Sequence, residues 1–251
     1  MGSTSKTDFF AIYLALFVII IAGVILKHAL RNKNETVRHI PLMVLAGVLF
    51  ILEIVKQLYH IIGGTWHTWY IPLHFCSYFL VWYTVALLTR GKIRQSMYAC
   101  SLVGGIIVTL LLLVAPRMIL HSATINVFAS FNNFHTFVYH AGVMAYWIWM
   151  LMLKVYHHEN SHLKRTIVFH ICFFFVTIIG AHVFHENFTN VLRSDIGLME
   201  NLRLSAGQFT YTMALFLVGI GAISLVTGIL HLVMKKLYKE NSNQEELTKN
   251  Q

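Results

Sequence analysis

The chain has 251 residues, of which 57% are hydrophobic and only 12% are charged, whereas an average soluble domain carries about 25% charged residues. The formal net charge is +9, but the basic residues lie in short segments between long apolar runs, where they indicate membrane topology. These features exclude a soluble globular domain and a nucleic-acid-binding protein. Because the apolar runs are about 20 residues long, the sequence predicts an all-α, polytopic membrane protein.

The apolar runs predict one seven-helix transmembrane domain within residues 1–239, followed by a polar, disordered cytoplasmic tail at 240–251. Pro41 and Pro72 would open the second and third spans, and Pro116 would close the fourth, all positions where a missing N–H is tolerated. The predicted spans are 9–27, 40–62, 71–89, 96–116, 134–155, 165–184 and 208–234.

The distribution of Lys and Arg predicts the orientation of these spans. The first, third and fifth connecting loops and the C-terminal tail are each rich in basic residues. The second loop has none, the fourth has one and the sixth has two. Because basic loops stay in the cytoplasm, the alternation places the N-terminus outside and the C-terminus inside. An even number of spans would break the alternation.

A stripe of polar residues runs along the predicted second span. Glu53, Lys56, Gln57 and His60 follow the spacing i, i+3, i+4, i+7, so they share one face of a helix. Glu53 and Lys56 can form an ion pair, which lowers the free-energy penalty of placing each charge in the membrane. The stripe has two interpretations: a structural ion pair that faces the bundle interior, or the lining of a polar cavity.

Polar residues of other spans fall at the same predicted depth, in the outer half of the membrane. Such residues are candidates for a functional site, because ionisable groups inside a membrane are expensive. A helical third span would put Cys76 about 200° round from His74, which disfavours a Cys–His dyad on that helix. The residues that converge at this depth, besides Gln57 and His60, are His74, Cys76, Ser77, His135, His140, His182, His185, Glu186, Arg203 and Gln208.

This polar set would suit acyl transfer or hydrolysis on a membrane lipid. That chemistry needs a general base, a nucleophile and groups that stabilise negative charge. His74 or His140 is the candidate base. The candidate nucleophiles are Ser77, Cys76 or a hydroxyl of the lipid. Negative charge could be stabilised by Lys56, Gln57, Asn132 or Gln208.

Two other functions stay open. The first is a transporter or a lipid-binding protein without chemistry, in which the Glu53–Lys56 pair could relay protons. The second is a metal-dependent lipid hydrolase, for which the only spacings of interest are H-x4-H from His135 and H-x-x-H from His182. We expect neither metal nor cofactor, because the last predicted span lacks the H-x-x-x-H of seven-span zinc hydrolases.

The chain resembles the YwaF-type family of bacterial integral membrane proteins, to which the vertebrate transmembrane protein 164 also belongs. The resemblance covers about residues 40–210 and depends on the order and spacing of short motifs. The matching motifs are Glu53 with Lys56, Pro72-Leu73-His74-Phe75-Cys76, Tyr139-His140, Asn187, Ser194-Asp195, Arg203 and Gly207-Gln208.

The resemblance implies a phospholipid acyltransferase in a bacterial cytoplasmic membrane. It implies catalytic roles for His74, His140 and the Glu53–Lys56 pair. The vertebrate motif has its catalytic Cys directly after the Pro, where this chain has Leu73. Cys76 therefore lies near the position of that catalytic residue but does not occupy it. Around this centre, the residues expected to contact the lipid are Gln57, His60, Ser77, His182, Arg203 and Gln208.

Overall fold

The computed structural model describes residues 6–120, 127–194 and 196–249, and within these ranges it describes the side chains of residues 9–236 except 117 and 118. The described residues form seven long helices, one short helix and no β-strand, which confirms the all-α fold. The helices are α1 Lys6–Leu30, α2 Glu35–Ile62, α3 Tyr78–Leu88, α4 Gly91–Val114, α5 Pro116–Leu120, α6 Phe131–Met152, α7 Ser161–Phe184 and α8 Gly197–Lys249.

The seven long helices correspond one to one with the predicted spans. Five of them, α1, α2, α4, α7 and α8, are long and apolar enough to cross a membrane. The other two differ for separate reasons: α6 carries several Asn and His residues in its first turns, and α3 has only 11 residues. Exposed apolar side chains cover the outward faces of α1, α2, α7 and α8, as expected for helices in contact with lipid.

The predicted third span is helical only in its second half. Phe75–Ser77 forms a 3₁₀ turn, and His74 before it is extended, with φ −74° and ψ 152°. Helix α3 begins at Tyr78 and is about 16 Å long at 1.5 Å per residue, which is shorter than a membrane core. The prediction that His74 and Cys76 lie about 200° apart on one α-helix is therefore wrong.

Local sequence and tertiary bonds both explain why residues 71–77 are not α-helical. Pro72 disfavours a helical conformation at Ile71. The backbone groups that a helix would use are bonded elsewhere: Thr177 Oγ1 donates to Leu73 O at 3.2 Å. Two residues further, the Phe75 N–H donates to Thr189 Oγ1 at 2.9 Å. Side chains distant in the sequence, on α7 and in the connection after it, thus hold the segment in place.

The core of the bundle is aromatic and lies between α3, α4 and α6. Tyr83 and Tyr146 stack at 3.8 Å between ring centroids, and Trp82 beside them is fully buried. The helices approach closely where glycine lies at the contact: a Cβ on Gly105 would be 2.5 Å from Trp147 Cδ1. Small residues allow such close approach of membrane helices. The aromatic core therefore fixes α3, α4 and α6 relative to one another.

Helix α8 has a break that matches the predicted start of the seventh span. Gly207 has φ 86° and ψ 166°, a conformation that residues with a side chain rarely adopt. The break separates a short outer stretch, 197–206, from the long apolar helix beginning at Gln208. Helix α8 then continues to Lys249 through the predicted polar tail. That residues 240–251 form a separate, disordered cytoplasmic tail stays a prediction.

The predicted orientation can be tested by cysteine labelling in intact cells. Leu198 is 80% exposed at the end of the bundle predicted to be outside, and Lys33 lies in the first basic loop. In a Cys172→Ser background, we expect a membrane-impermeant maleimide to label Leu198→Cys but not Lys33→Cys. After the membrane is permeabilised, both should react. Labelling of Lys33→Cys in intact cells would show that the true topology is the inverse of the predicted one.

Candidate functional site

Glu53 is the centre of a buried polar cluster between α2 and α6. Its Oε1 is 2.5 Å from Lys56 Nζ and accepts a hydrogen bond from Gln57 Nε2 at 2.8 Å. Its Oε2 is 3.3 Å from His135 Nε2, on α6. Only 10% of the Glu53 side chain and 15% of the Lys56 side chain are exposed. The ion pair predicted from the spacing is therefore formed, and a histidine of a second helix joins it.

His60 extends the cluster one turn further along α2. Its Nδ1 is 2.9 Å from Thr65 Oγ1, and its Nε2 is 2.7 Å from Asn132 Oδ1 at the start of α6. The ring stacks on Tyr70 at 3.8 Å between centroids. Both ring nitrogens of His60 have partners, so this histidine is positioned to fix the loop against α2 and α6.

Gln57 connects the cluster to the short loop after α2. Its Nε2 also donates to Tyr70 O at 2.6 Å, and its Oε1 accepts from Trp66 Nε1 at 2.9 Å. Trp66 is 42% exposed and Trp69 is 38% exposed. Gln57 thus links the exposed Trp66 to the buried carboxylate of Glu53.

The non-helical segment 71–77 is attached to the same cluster through α6. Tyr139 Oη donates to Cys76 O at 2.9 Å, and the Tyr139 ring stacks parallel to His135 at 5.8 Å. Glu53, His135, Tyr139 and Cys76 therefore form a continuous chain of contacts from α2 to the start of α3. Cys76 therefore joins this chain of contacts through its main-chain carbonyl oxygen.

His74 belongs to the same segment. Its ring meets Trp69 edge to face at 4.2 Å and Phe188 at 5.2 Å. His140 is buried on α6, where its Nδ1–H donates to Thr136 O at 2.7 Å. We predicted that these two histidines face each other across a cavity. The described ring neighbours of His74 belong to the loop after α2 and to the α7–α8 connection, and the described hydrogen-bond partner of His140 is on α6. That the two histidines face each other stays a prediction.

The connection between α7 and α8 is held in place by several of the predicted polar residues. Glu186 Oε1 accepts from Thr68 Oγ1 at 2.5 Å, which joins this connection to the loop after α2. Gln208 Nε2 donates to Val191 O at 2.8 Å, and Tyr211 donates to Asn190 O. Gln208 therefore supports the segment that contacts His74, and no described contact places it among the residues around Glu53.

Three other predicted substrate contacts have no described contact with the residues around Glu53. His182 is exposed on α7. Arg203 pairs with Glu200 at 2.5 Å on the outer stretch of α8. Ser77 closes the 3₁₀ turn, where its N–H donates to His74 O at 2.9 Å. Their roles in binding lipid stay predictions.

Sequence reasoning missed the pairing of His135 with Glu53. It also missed the Thr68–Glu186 bond, which no spacing could reveal because the partners are 118 residues apart. Within residues 6–120, 127–194 and 196–249, no group of three or more His, Cys, Asp or Glu side chains could hold a metal ion.

Apolar helices around a buried ion-paired cluster define this chain as a multi-pass helical membrane protein with a polar interior. The TMEM164 family model matches residues 2–238, nearly the whole chain. The protein therefore belongs to the TMEM164 family, as the sequence motifs indicated. No curated protein and no solved structure matches the chain.

Proposed function

We propose that the protein is a membrane-embedded enzyme that acts on a membrane lipid, with transfer of an acyl group as the favoured reaction. The observation that carries the proposal is the buried Glu53 carboxylate held between Lys56 and His135. Charges inside a membrane are expensive and mark functional positions by default. The resemblance to transmembrane protein 164 supports an acyl lipid as substrate, and the resemblance to the bacterial YwaF-type proteins supports a bacterial cytoplasmic membrane as location.

A carboxylate beside a histidine is the arrangement that orients an imidazole as a general base. In the proposed reaction, the base takes a proton from an attacking hydroxyl or thiol, whose oxygen or sulfur bonds to the acyl carbon of a phospholipid ester. The ester C–O bond then breaks, and the released lipid oxygen takes the proton from the imidazolium. His74 and His140 are the predicted bases, and the contact with Glu53 adds His135 as a third.

The rim of the cluster suits a lipid substrate. Tyr59, Trp66 and Trp69 are 53%, 42% and 38% exposed at the predicted outer end of α2 and the loop after it. Tyr and Trp concentrate where membranes meet water, at the depth of lipid headgroups and ester bonds. Since Trp66 bonds directly to Gln57, movement of this loop would open a path from the interface to Glu53.

The proposal is tested by supplying lipid with a traceable acyl chain. Purified protein would be reconstituted with a phospholipid carrying isotopically labelled acyl chains and an unlabelled lysophospholipid, and the products analysed by mass spectrometry. We expect labelled chains to appear on the acceptor, or as free acid if water is the acceptor. Phospholipid that is bound by the protein but recovered unchanged would contradict enzymatic function and favour a lipid-binding protein.

A further inference from the structure

A cavity of about 530 Å³ lies between the first turns of α4 and α7, at the opposite end of the bundle from Glu53. Both helices begin at the end that carries the basic loops, which the positive-inside rule places in the cytoplasm. One part of the cavity wall is basic and consists of Lys92, Lys164 and Arg165. Among the described residues that line the cavity, none is acidic.

The basic wall is organised by a short hydrogen-bond chain. Arg165 Nη1 donates to Ser96 Oγ at 3.0 Å, and Ser96 Oγ donates to Lys92 O at 2.8 Å. These bonds fix the guanidinium of α7 against the first turns of α4. The N-terminal ends of the two helices add partial positive charge at the same place. Lys92 and Lys164 are exposed, so their ammonium groups are available to a ligand.

The remaining wall is apolar and open towards the membrane. Ile93, Val168 and Phe169 line it and are 56%, 46% and 37% exposed. Cations beside an apolar groove at a membrane surface match the two parts of one anionic phospholipid: a charged headgroup and an acyl chain. Basic pockets between helices on the cytoplasmic side bind such lipids, whose headgroups are attracted by Lys and Arg.

We infer that this cavity binds one anionic phospholipid of the cytoplasmic leaflet. Its phosphate lies among Lys92, Lys164 and Arg165, and part of one acyl chain lies along Ile93, Val168 and Phe169. The site is separate from the Glu53 cluster, and the inference does not depend on acyl transfer. A water-soluble phosphate compound could use the basic wall, but it would leave the apolar wall unoccupied.

The test compares lipid retention by native mass spectrometry after purification in micelles that contain equal amounts of phosphatidylglycerol and phosphatidylcholine. We expect the wild-type protein to retain phosphatidylglycerol preferentially. Lys92→Gln with Lys164→Gln should weaken retention about fivefold for each lysine removed. The matched control, Lys27→Gln with Lys33→Gln, removes two charges from the same end outside the cavity and should keep wild-type retention. An equal loss of phosphatidylglycerol retention in both double variants would show that the lipid is attracted only by the general positive charge, and it would contradict a specific site in the cavity.

A second pair of variants tests the apolar wall without changing charge. Val168→Trp should fill the groove and reduce phosphatidylglycerol retention severalfold. Val176→Trp places the same bulk at a similarly exposed position, two turns further along α7, and should have no effect. Unchanged retention in Val168→Trp, or displacement of the lipid by millimolar inorganic phosphate, would mean that no acyl chain occupies the groove and would contradict the inference.

Discussion

Replacing Glu53 by Gln alone is expected to destabilise the protein strongly, by about 3–5 kcal/mol of unfolding free energy. The reason is that Lys56, with only 15% of its side chain exposed, would keep a positive charge without its 2.5 Å partner. The double variant Glu53→Gln with Lys56→Met removes both charges and should recover most of the loss. The measurement is the apparent unfolding temperature in detergent at one fixed heating rate.

A second ion pair supplies the control. Glu200 and Arg203 also approach to 2.5 Å, but their side chains are 27% and 28% exposed. Exposed pairs contribute little to stability, so Glu200→Gln should leave the unfolding temperature nearly unchanged. If Glu53→Gln proves as stable as the double variant, the Glu53–Lys56 pair is solvated, and a water-filled cavity is the correct picture of the cluster.

Removing a histidine base is expected to have the largest effect on activity. His74→Ala and His140→Ala should each lower acyl transfer or hydrolysis by about 10²- to 10⁴-fold, the usual contribution of a general base. Both variants should remain folded and monodisperse on size-exclusion chromatography. His135→Ala should give a loss in the same range if Glu53 orients that ring. The assay is the transfer of labelled acyl chains described above.

His28→Ala is the control, because His28 is exposed in the last turn of α1, at the opposite end of the bundle. Cys76→Ser is expected to keep most activity, since Leu73 occupies the position at which the resemblance to transmembrane protein 164 implies a catalytic Cys. An acyl adduct on Cys76 in intact-mass analysis, with activity lost in Cys76→Ser, would instead identify Cys76 as the nucleophile. Full activity in all the histidine variants would refute a histidine-centred site.

The sequence predicted the helices well because length and apolar character decide whether a segment can cross a membrane. It also predicted the Glu53–Lys56 pair, because both residues belong to one helix and their spacing fixes their distance. It failed for residues 71–77, where Pro72 and bonds to Thr177 and Thr189 override the apolar pattern. An apolar run shows that a segment can be in the membrane, but not that all of it is helical.

Contacts between helices were beyond prediction from one sequence. The Tyr139–Cys76 bond and the His135–Glu53 contact depend on how α6 is rotated against α2 and α3. Spacing along a helix shows which residues share a face, but not which neighbour that face meets. For the same reason, the arrangement of His74 opposite His140 stays a prediction.

The double variant Glu53→Gln with Lys56→Met gives the most direct test of whether the buried cluster is a catalytic site. Because this variant lacks an unpaired charge, its fold should be retained, which separates loss of chemistry from loss of structure. We expect it to unfold near the wild-type temperature and yet transfer labelled acyl chains at least 100-fold more slowly, in line with the contribution of a general base. A stable double variant with wild-type activity would show that the cluster only holds α2 and α6 together.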